Sequence, residues 1–120
     1  MSFRSHVTRA LLGALASALA LTPISASAAF QCSASISKVL TYKSGVVNVM
    51  HSGRNDYTVV CSLSAERLGV SVATCAMWAA TLHNIKRSGG TATFYYDGTG
   101  SCSTIATYES APVPTYIMMD

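Results

Sequence analysis

One short motif in this 120-residue chain has the spacing of an enzyme nucleophile. Ser35 and Lys38 form the S-x-x-K pattern in which a serine attacks a carbonyl and a lysine assists the proton transfer. That chemistry needs a far larger scaffold that supplies two further motifs. On a β-strand, moreover, these two side chains would point to opposite faces. The pair is therefore interpreted as a chance match.

Histidines, aspartates and serines together supply the residue types of a nucleophile, base and acid triad. Beyond residue 29 the chain has two histidines, His51 and His83, and Asp56 or Asp97 would be the orienting acid. No G-x-S-x-G turn accompanies them, and His83 falls on the polar side of a predicted helix. Both histidines are interpreted as solvent-exposed polar residues. The sequence predicts neither an enzyme nor a bound cofactor.

The four cysteines are Cys32, Cys61, Cys75 and Cys102. Zinc sites use paired C-x-x-C or H-x-x-x-H spacings, which are missing here. An even number of cysteines in a small exported chain indicates two disulfides instead. No metal site is predicted.

The first 29 residues have the layout of a secretory signal peptide. Arg4, His6 and Arg9 form a basic start, and residues 10–21 form an apolar stretch too short to span a bilayer. Small residues follow, and cleavage is predicted after Ala28 or Ala29. The sequence therefore predicts a secreted or periplasmic protein without a membrane anchor.

The charge of the predicted mature chain argues against nucleic-acid binding. The whole chain has a formal net charge of +3, but Arg4 and Arg9 belong to the signal peptide. Six basic residues then face five acidic ones, which leaves no basic stripe for phosphate contacts. No nucleic-acid partner is expected.

Residues 30–120 contain no linker, repeat or charge block, so they are predicted to form one domain. Alternating and β-branched stretches predict short strands. Trp78, Leu82 and Ile85 recur at i, i+4 and i+7, so a helix is expected over residues 75–88, with Thr74 as its N-cap and Gly89 as its C-cap. The strands are expected at residues 34–42, 46–51, 57–63, 70–73, 91–97, 103–108 and 115–119. One helix among short antiparallel strands favours a mainly β, OB-fold-like small barrel stapled by two disulfides.

Residues 59–102 carry an ordered set of features: a strand ending in Val-Cys, a hairpin returning to Ala-Thr-Cys-Ala, a helix with Trp and Leu, then glycine and an alternating aromatic strand. This segment resembles the B subunits of bacterial AB-type toxins, particularly the subtilase cytotoxin and typhoid toxin group. The resemblance covers about half of the mature chain. It implies an OB-fold, glycan binding and assembly into a homo-pentamer with the helix facing the centre.

The resemblance also implies roles for individual residues. Cys61 would pair with Cys75, which leaves Cys32 to pair with Cys102. In the sialoglycan-binding members a serine follows isoleucine on the first strand, and Ser37 occupies the matching step here.

Tyrosines add a second candidate for ligand contact. Alternation along residues 91–97 places Tyr95 on the opposite face from Phe94 and Tyr96, so at least one of the two tyrosines is expected to point outward. Aromatic rings of this kind stack on sugars and anchor protein interfaces, although filling the barrel is their more frequent role. Tyr95 is therefore assigned to the ligand-binding surface together with Ser37.

The expected function is that of a secreted binding module for a cell-surface glycan or a protein surface. The alternative is a periplasmic or secreted inhibitor of a hydrolase such as lysozyme or a protease, because small disulfide-bonded folds with exposed loops also serve that role.

Overall fold

The computed structural model describes residue 23 and residues 26–120. The predicted basic start and apolar stretch of the signal peptide lie outside the described residues. Within these described residues, five strands, one α-helix and one 3₁₀ helix follow one another. They are β1 (Ala29–Thr41), β2 (Val46–His51), β3 (Tyr57–Ser62), α1 (Val72–Ser88), β4 (Thr91–Asp97), a 3₁₀ helix (Cys102–Thr104) and β5 (Tyr116–Met119).

The five strands form one open antiparallel sheet in the order β3-β2-β1-β4-β5. The long central strand β1 pairs with β4 through its first half and with β2 through its second half. A β-bulge between Ile36 and Lys38 separates the two halves, and such bulges bend a strand and increase its twist. An isolated parallel bridge also joins Thr58 of β3 to Tyr108 of the loop before β5. The predicted mainly β fold with one helix is confirmed.

The alternating sequence of β1 explains why it can lie at the centre of the sheet. Cys32, Ala34 and Ile36 are buried on the face that packs against α1, which we call the inner face. The residues between them, Ser33 and Ser35, are exposed on the outer face. This period of two is what a strand with one face on the core requires.

The helix begins three residues earlier than the sequence indicates. The Ser71 hydroxyl accepts a hydrogen bond from the backbone N–H of Thr74 at 3.1 Å, so Ser71 is the N-cap and the prediction of Thr74 is wrong. The strand expected at residues 70–73 is also absent, because α1 already starts at Val72. Gly89 is the C-cap, as predicted. The helix buries four residues against the sheet: Cys75, Ala79, Leu82 and Ile85.

Both predicted disulfides are confirmed. Cys61 of β3 is bonded to Cys75 of α1, with 5.4 Å between their Cα atoms, and this bridge fixes the helix to the sheet. Cys32 of β1 is bonded to Cys102, with a Cα separation of 5.6 Å. This second bridge holds the segment after β4 against β1, and the segment forms a 3₁₀ helix at Cys102–Thr104. The strand expected at residues 103–108 therefore does not form.

Among the described residues, no helix is both long and apolar enough to cross a membrane.

Candidate functional site

The two residues predicted to bind a ligand do not lie in one pocket. Ser37 is exposed at the β1 bulge, and its hydroxyl donates a hydrogen bond to the Met50 carbonyl at 2.8 Å. Tyr95 lies opposite Gln31 of β1, and its half-buried ring stacks on Tyr116 with 4.9 Å between the ring centroids. Gln31, the partner of Tyr95, lies six residues along β1 from Ser37. This corresponds to about 20 Å of strand. The two side chains would have to contact different parts of a ligand.

His51 and His83 lie in different environments, the first in the core and the second on the helix surface. His51 has an exposed fraction of 0%, so its interpretation as a solvent-exposed residue is wrong. It pairs with the buried Ile36 and stacks on Phe94 with 4.8 Å between centroids. Its Nδ1 accepts a hydrogen bond from the Gly53 N–H at 3.2 Å. His83, in contrast, is exposed on α1 as expected.

Burial also determines the ionisation of His51. Desolvation, followed by the positive charge of Arg54, lowers the pKa of His51 from 6.5 to about 4. The imidazole is therefore neutral at physiological pH and acts as a packed core residue.

A concave site is present at the sheet end where β1 begins and β4 ends. The loop that follows β4 closes over this end and is held there by the Cys32–Cys102 bridge. The resulting pocket has a volume of about 290 Å³, and we call it the loop pocket. The residues that matter for its chemistry are Phe30, Tyr96, Asp97, Thr99, Ser101 and Thr104.

Two stacked aromatic rings contribute to the wall of the loop pocket. The centroids of Phe30 and Tyr96 are 4.9 Å apart, and their planes differ by 11°. Gly100 approaches the Phe30 ring so closely that an added Cβ would lie 2.8 Å from Cε1 of that ring. Any larger residue at position 100 would displace the Phe30 ring. The loop is thus fitted to this aromatic pair.

The Tyr96 hydroxyl is a buried donor without a protein partner. No hydrogen bond satisfies it within the described part of the chain. Burial raises the pKa of Tyr96 well above its usual value, so the phenol stays protonated. A buried hydroxyl without a partner costs about 1–3 kcal/mol.

Polar groups complete the loop pocket. The Ser101 and Thr104 hydroxyls lie 2.8 Å apart, and Thr99 adds a third hydroxyl group. Asp97 supplies a carboxylate, whose Oδ2 accepts a hydrogen bond from the Thr115 hydroxyl at 2.7 Å. None of the described lining residues is Lys or Arg. The pocket thus combines aromatic surface with hydroxyls and one negative charge.

A second pocket of about 340 Å³ shares Asp97 with the loop pocket. We call it the turn pocket, because Leu68 and Gly69 of a tight turn line it together with Val113 and Pro114.

Sequence reasoning did not find these pockets. In the sequence, Asp97 is a candidate only for the acid of a triad, and no motif includes Phe30. The register of β1 against β4, which places Phe30 opposite Tyr96, joins residues more than sixty positions apart and has no local signal. The glycines at positions 98 and 100 were the one visible indication of a special loop.

Within the described residues, no group of three or more His, Cys, Asp or Glu side chains is arranged to hold a metal ion. No protein-family model, no curated protein and no solved structure matches the chain.

Proposed function

We propose that this protein is an exported carbohydrate-binding module and that the loop pocket is its binding site. The observation that carries the proposal is that Tyr96, whose buried hydroxyl has no partner among the described residues, lines one pocket with the stacked Phe30 ring and with serine and threonine residues. Sugars present apolar C–H faces together with hydroxyls that both donate and accept hydrogen bonds. An aromatic wall with neutral polar groups is complementary to both.

The electrostatics of the loop pocket favour a neutral sugar over an anionic one. Among its described lining residues, only Asp97 is charged. A carboxylate accepts hydrogen bonds from sugar hydroxyls but repels a ligand carboxylate, phosphate or sulfate. The proposed ligand class therefore differs from the sialoglycans that the toxin resemblance suggests.

The outer face around Ser37 and Tyr95 is the competing surface for a glycan. In favour of it are the exposure of Ser37 and the aromatic pair of Tyr95 with Tyr116. Against it, the Ser37 hydroxyl already donates to a backbone carbonyl.

Binding of neutral sugars to three variants distinguishes the two surfaces. Tyr96→Phe removes only the buried hydroxyl and keeps the ring. We expect a roughly 2- to 10-fold loss of affinity, the value of one hydrogen bond. The matched controls Tyr95→Phe and Ser37→Ala should bind as the unsubstituted protein does. Affinity is measured by calorimetric titration with ligands selected on a glycan array.

Thermal unfolding adds a second readout for the same variant. Because the Tyr96 hydroxyl has no protein partner, Tyr96→Phe should leave the stability unchanged or raise it. A loss of affinity in Ser37→Ala or Tyr95→Phe, with Tyr96→Phe unaffected, would move the site to the outer face. Failure of all sugars to bind, with a stoichiometric complex formed with a lysozyme or protease, would favour the inhibitor instead.

We further propose that the chain is exported by its predicted signal peptide and that copies of it self-associate. Two disulfides persist in oxidising compartments, which supports export. Met77 on α1 is 72% exposed, and Met118 and Met119 are exposed on the edge strand β5, which supports a further interface. The homo-pentamer implied by the toxin resemblance is the assembly that we propose.

A further inference from the structure

Leu68 stands at the tip of a tight turn in a conformation that leucine rarely adopts. Reciprocal backbone hydrogen bonds of 3.1 and 2.9 Å join Arg67 and Val70, and the two residues between them have positive φ angles, 47° for Leu68 and 85° for Gly69. Such turns favour Asn or Gly at the first position. A side chain with a Cβ is penalised there by about 1–2 kcal/mol.

Exposure of an apolar side chain to water adds to this cost, because the Leu68 side chain is 68% exposed. Neither local conformation nor packing within the protein accounts for leucine at this position.

The turn that carries Leu68 is fixed to the rest of the fold. The Arg67 guanidinium donates hydrogen bonds to the carbonyls of Glu109 and Ala111, each at 3.1 Å. Val70, at the other end of the turn, is buried in the core. The exposed leucine is therefore held at a defined position and does not sit on a loosely attached loop.

Leu68 forms part of the wall of the turn pocket, together with Val113 and Pro114. Asp97 is the charged residue at this site. Its Oδ2 accepts a hydrogen bond from the Thr115 hydroxyl, and its Oδ1 has no hydrogen-bond partner among the described residues. The turn pocket thus offers an apolar wall and an available carboxylate oxygen.

Since Asp97 also lines the loop pocket, the two pockets adjoin at this residue. A ligand with a single sugar unit would occupy one of them, whereas a ligand of two linked units extends past Asp97 into the other.

We infer that the turn pocket is a second sugar subsite, specific for an N-acetylated unit of a neutral oligosaccharide. The inference rests on the proposed binding of sugar in the loop pocket. An acetamido group supplies the complementary chemistry: its methyl group packs against Leu68, and its N–H donates to Asp97 Oδ1.

Two disaccharides that differ in this group provide the test. N,N′-diacetylchitobiose carries an acetamido group on each unit, and cellobiose carries a hydroxyl at the same positions. We expect the protein to bind the acetylated disaccharide about 10-fold or more tightly than cellobiose, which is typical of one extra apolar group and hydrogen bond in a fitted site. Calorimetric titration measures both affinities.

Leu68→Asn assigns that preference to the turn pocket. Asparagine adopts the left-handed conformation readily, so the variant should fold with an unchanged or higher melting temperature. It should lose the preference for the acetylated disaccharide and bind cellobiose as before. Tyr42→Ala is the control, because Tyr42 is also an exposed hydrophobic residue, lines neither pocket and lies outside the proposed interface of α1 and β5.

The outcomes separate this inference from the proposed function. Equal affinity for the two disaccharides, or a preference that survives in Leu68→Asn, overturns the second subsite even if binding still depends on Tyr96. Absence of binding by either disaccharide and by every neutral sugar on the array overturns the proposed function and this inference with it.

Discussion

The buried imidazole of His51 links the stability of the fold to pH. Its pKa is about 4 in the folded protein but about 6.5 when the chain is unfolded. Below pH 6.5 the unfolded chain therefore binds a proton that the folded chain excludes. The free energy of unfolding is highest above pH 6.5 and should fall by about 3 kcal/mol as the pH drops to 4.

Urea denaturation at a series of pH values measures this loss, and two substitutions isolate the residue responsible. His51→Phe keeps an aromatic ring against Phe94 and has no titrating group, so its stability should decline less between pH 6.5 and 4. His83→Gln removes an exposed histidine and should follow the unsubstituted protein. If His51→Phe shows the same decline as the unsubstituted protein, the carboxylates and not His51 cause it.

Individual residues also show the limit of sequence reasoning at this scale. The alternation of residues 91–97 correctly separated Tyr95 from Phe94 and Tyr96. For His51 no such signal was available, since β2 is buried on both faces at several positions and lacks a clean alternation. A polar residue type without such a signal predicts exposure, whereas stacking on Phe94 places His51 in the core.

At the scale of elements, the local patterns identified the helix and most of the strands. The apolar spacing of Trp78, Leu82 and Ile85 predicted α1, and the structure packs the face containing Leu82 and Ile85 against the sheet. The boundary errors have local causes. Ser71 and Thr74 are both acceptable N-caps, and only the hydrogen bond formed in the structure distinguishes them.

The two disulfides have different consequences for the elements that they join. Replacing both Cys61 and Cys75 by alanine opens a loop of 14 residues, and replacing both Cys32 and Cys102 opens one of 70 residues. On the loop-entropy model the losses of unfolding free energy are about 3 and 4 kcal/mol, respectively. Of the two bridges, only Cys32–Cys102 fixes the loop after β4 that lines the loop pocket.

The affinity for sugar should therefore differ between the two double variants. The variant without the Cys32–Cys102 bridge should lose most of its affinity, because the residues at positions 99–104 are no longer held beside Phe30. The variant without the Cys61–Cys75 bridge should retain it. Titration is carried out at a temperature at which circular dichroism shows both variants folded. Equal affinities in the two variants would mean that the loop keeps its position without the bridge.

At the scale of the whole molecule, the sheet order decides where the pockets lie. Strand β1 joins β2 and β4, although β4 follows it by some fifty residues along the chain. Hydrophobic alternation predicts that a segment is a strand but does not specify its neighbour. The mainly β class was therefore accessible from the sequence, whereas the pairing that brings Phe30 to Tyr96 was not.

Self-association is the remaining property of the whole molecule that can be tested directly. The exposed side of α1 carries Ala73, Ala76, Met77 and Ala80 and no charged residue before Lys86. A helix face in water normally carries charged side chains. An interface centred on Met77 would remove this apolar surface from solvent, as the proposed assembly of five copies requires.

Native mass spectrometry and sedimentation should give a mass of five mature chains for the unsubstituted protein. Met77→Glu should reduce this to the mass of one chain, because five carboxylates would otherwise be buried close together without partners. His83→Glu places the same charge on a different side of the same helix and should leave the assembly intact. The two variants should retain the same affinity for sugar, since neither residue lines a pocket. A monomeric mass for the unsubstituted protein would contradict the proposed assembly. It would not affect the proposed sugar binding, which is tested by Tyr96→Phe.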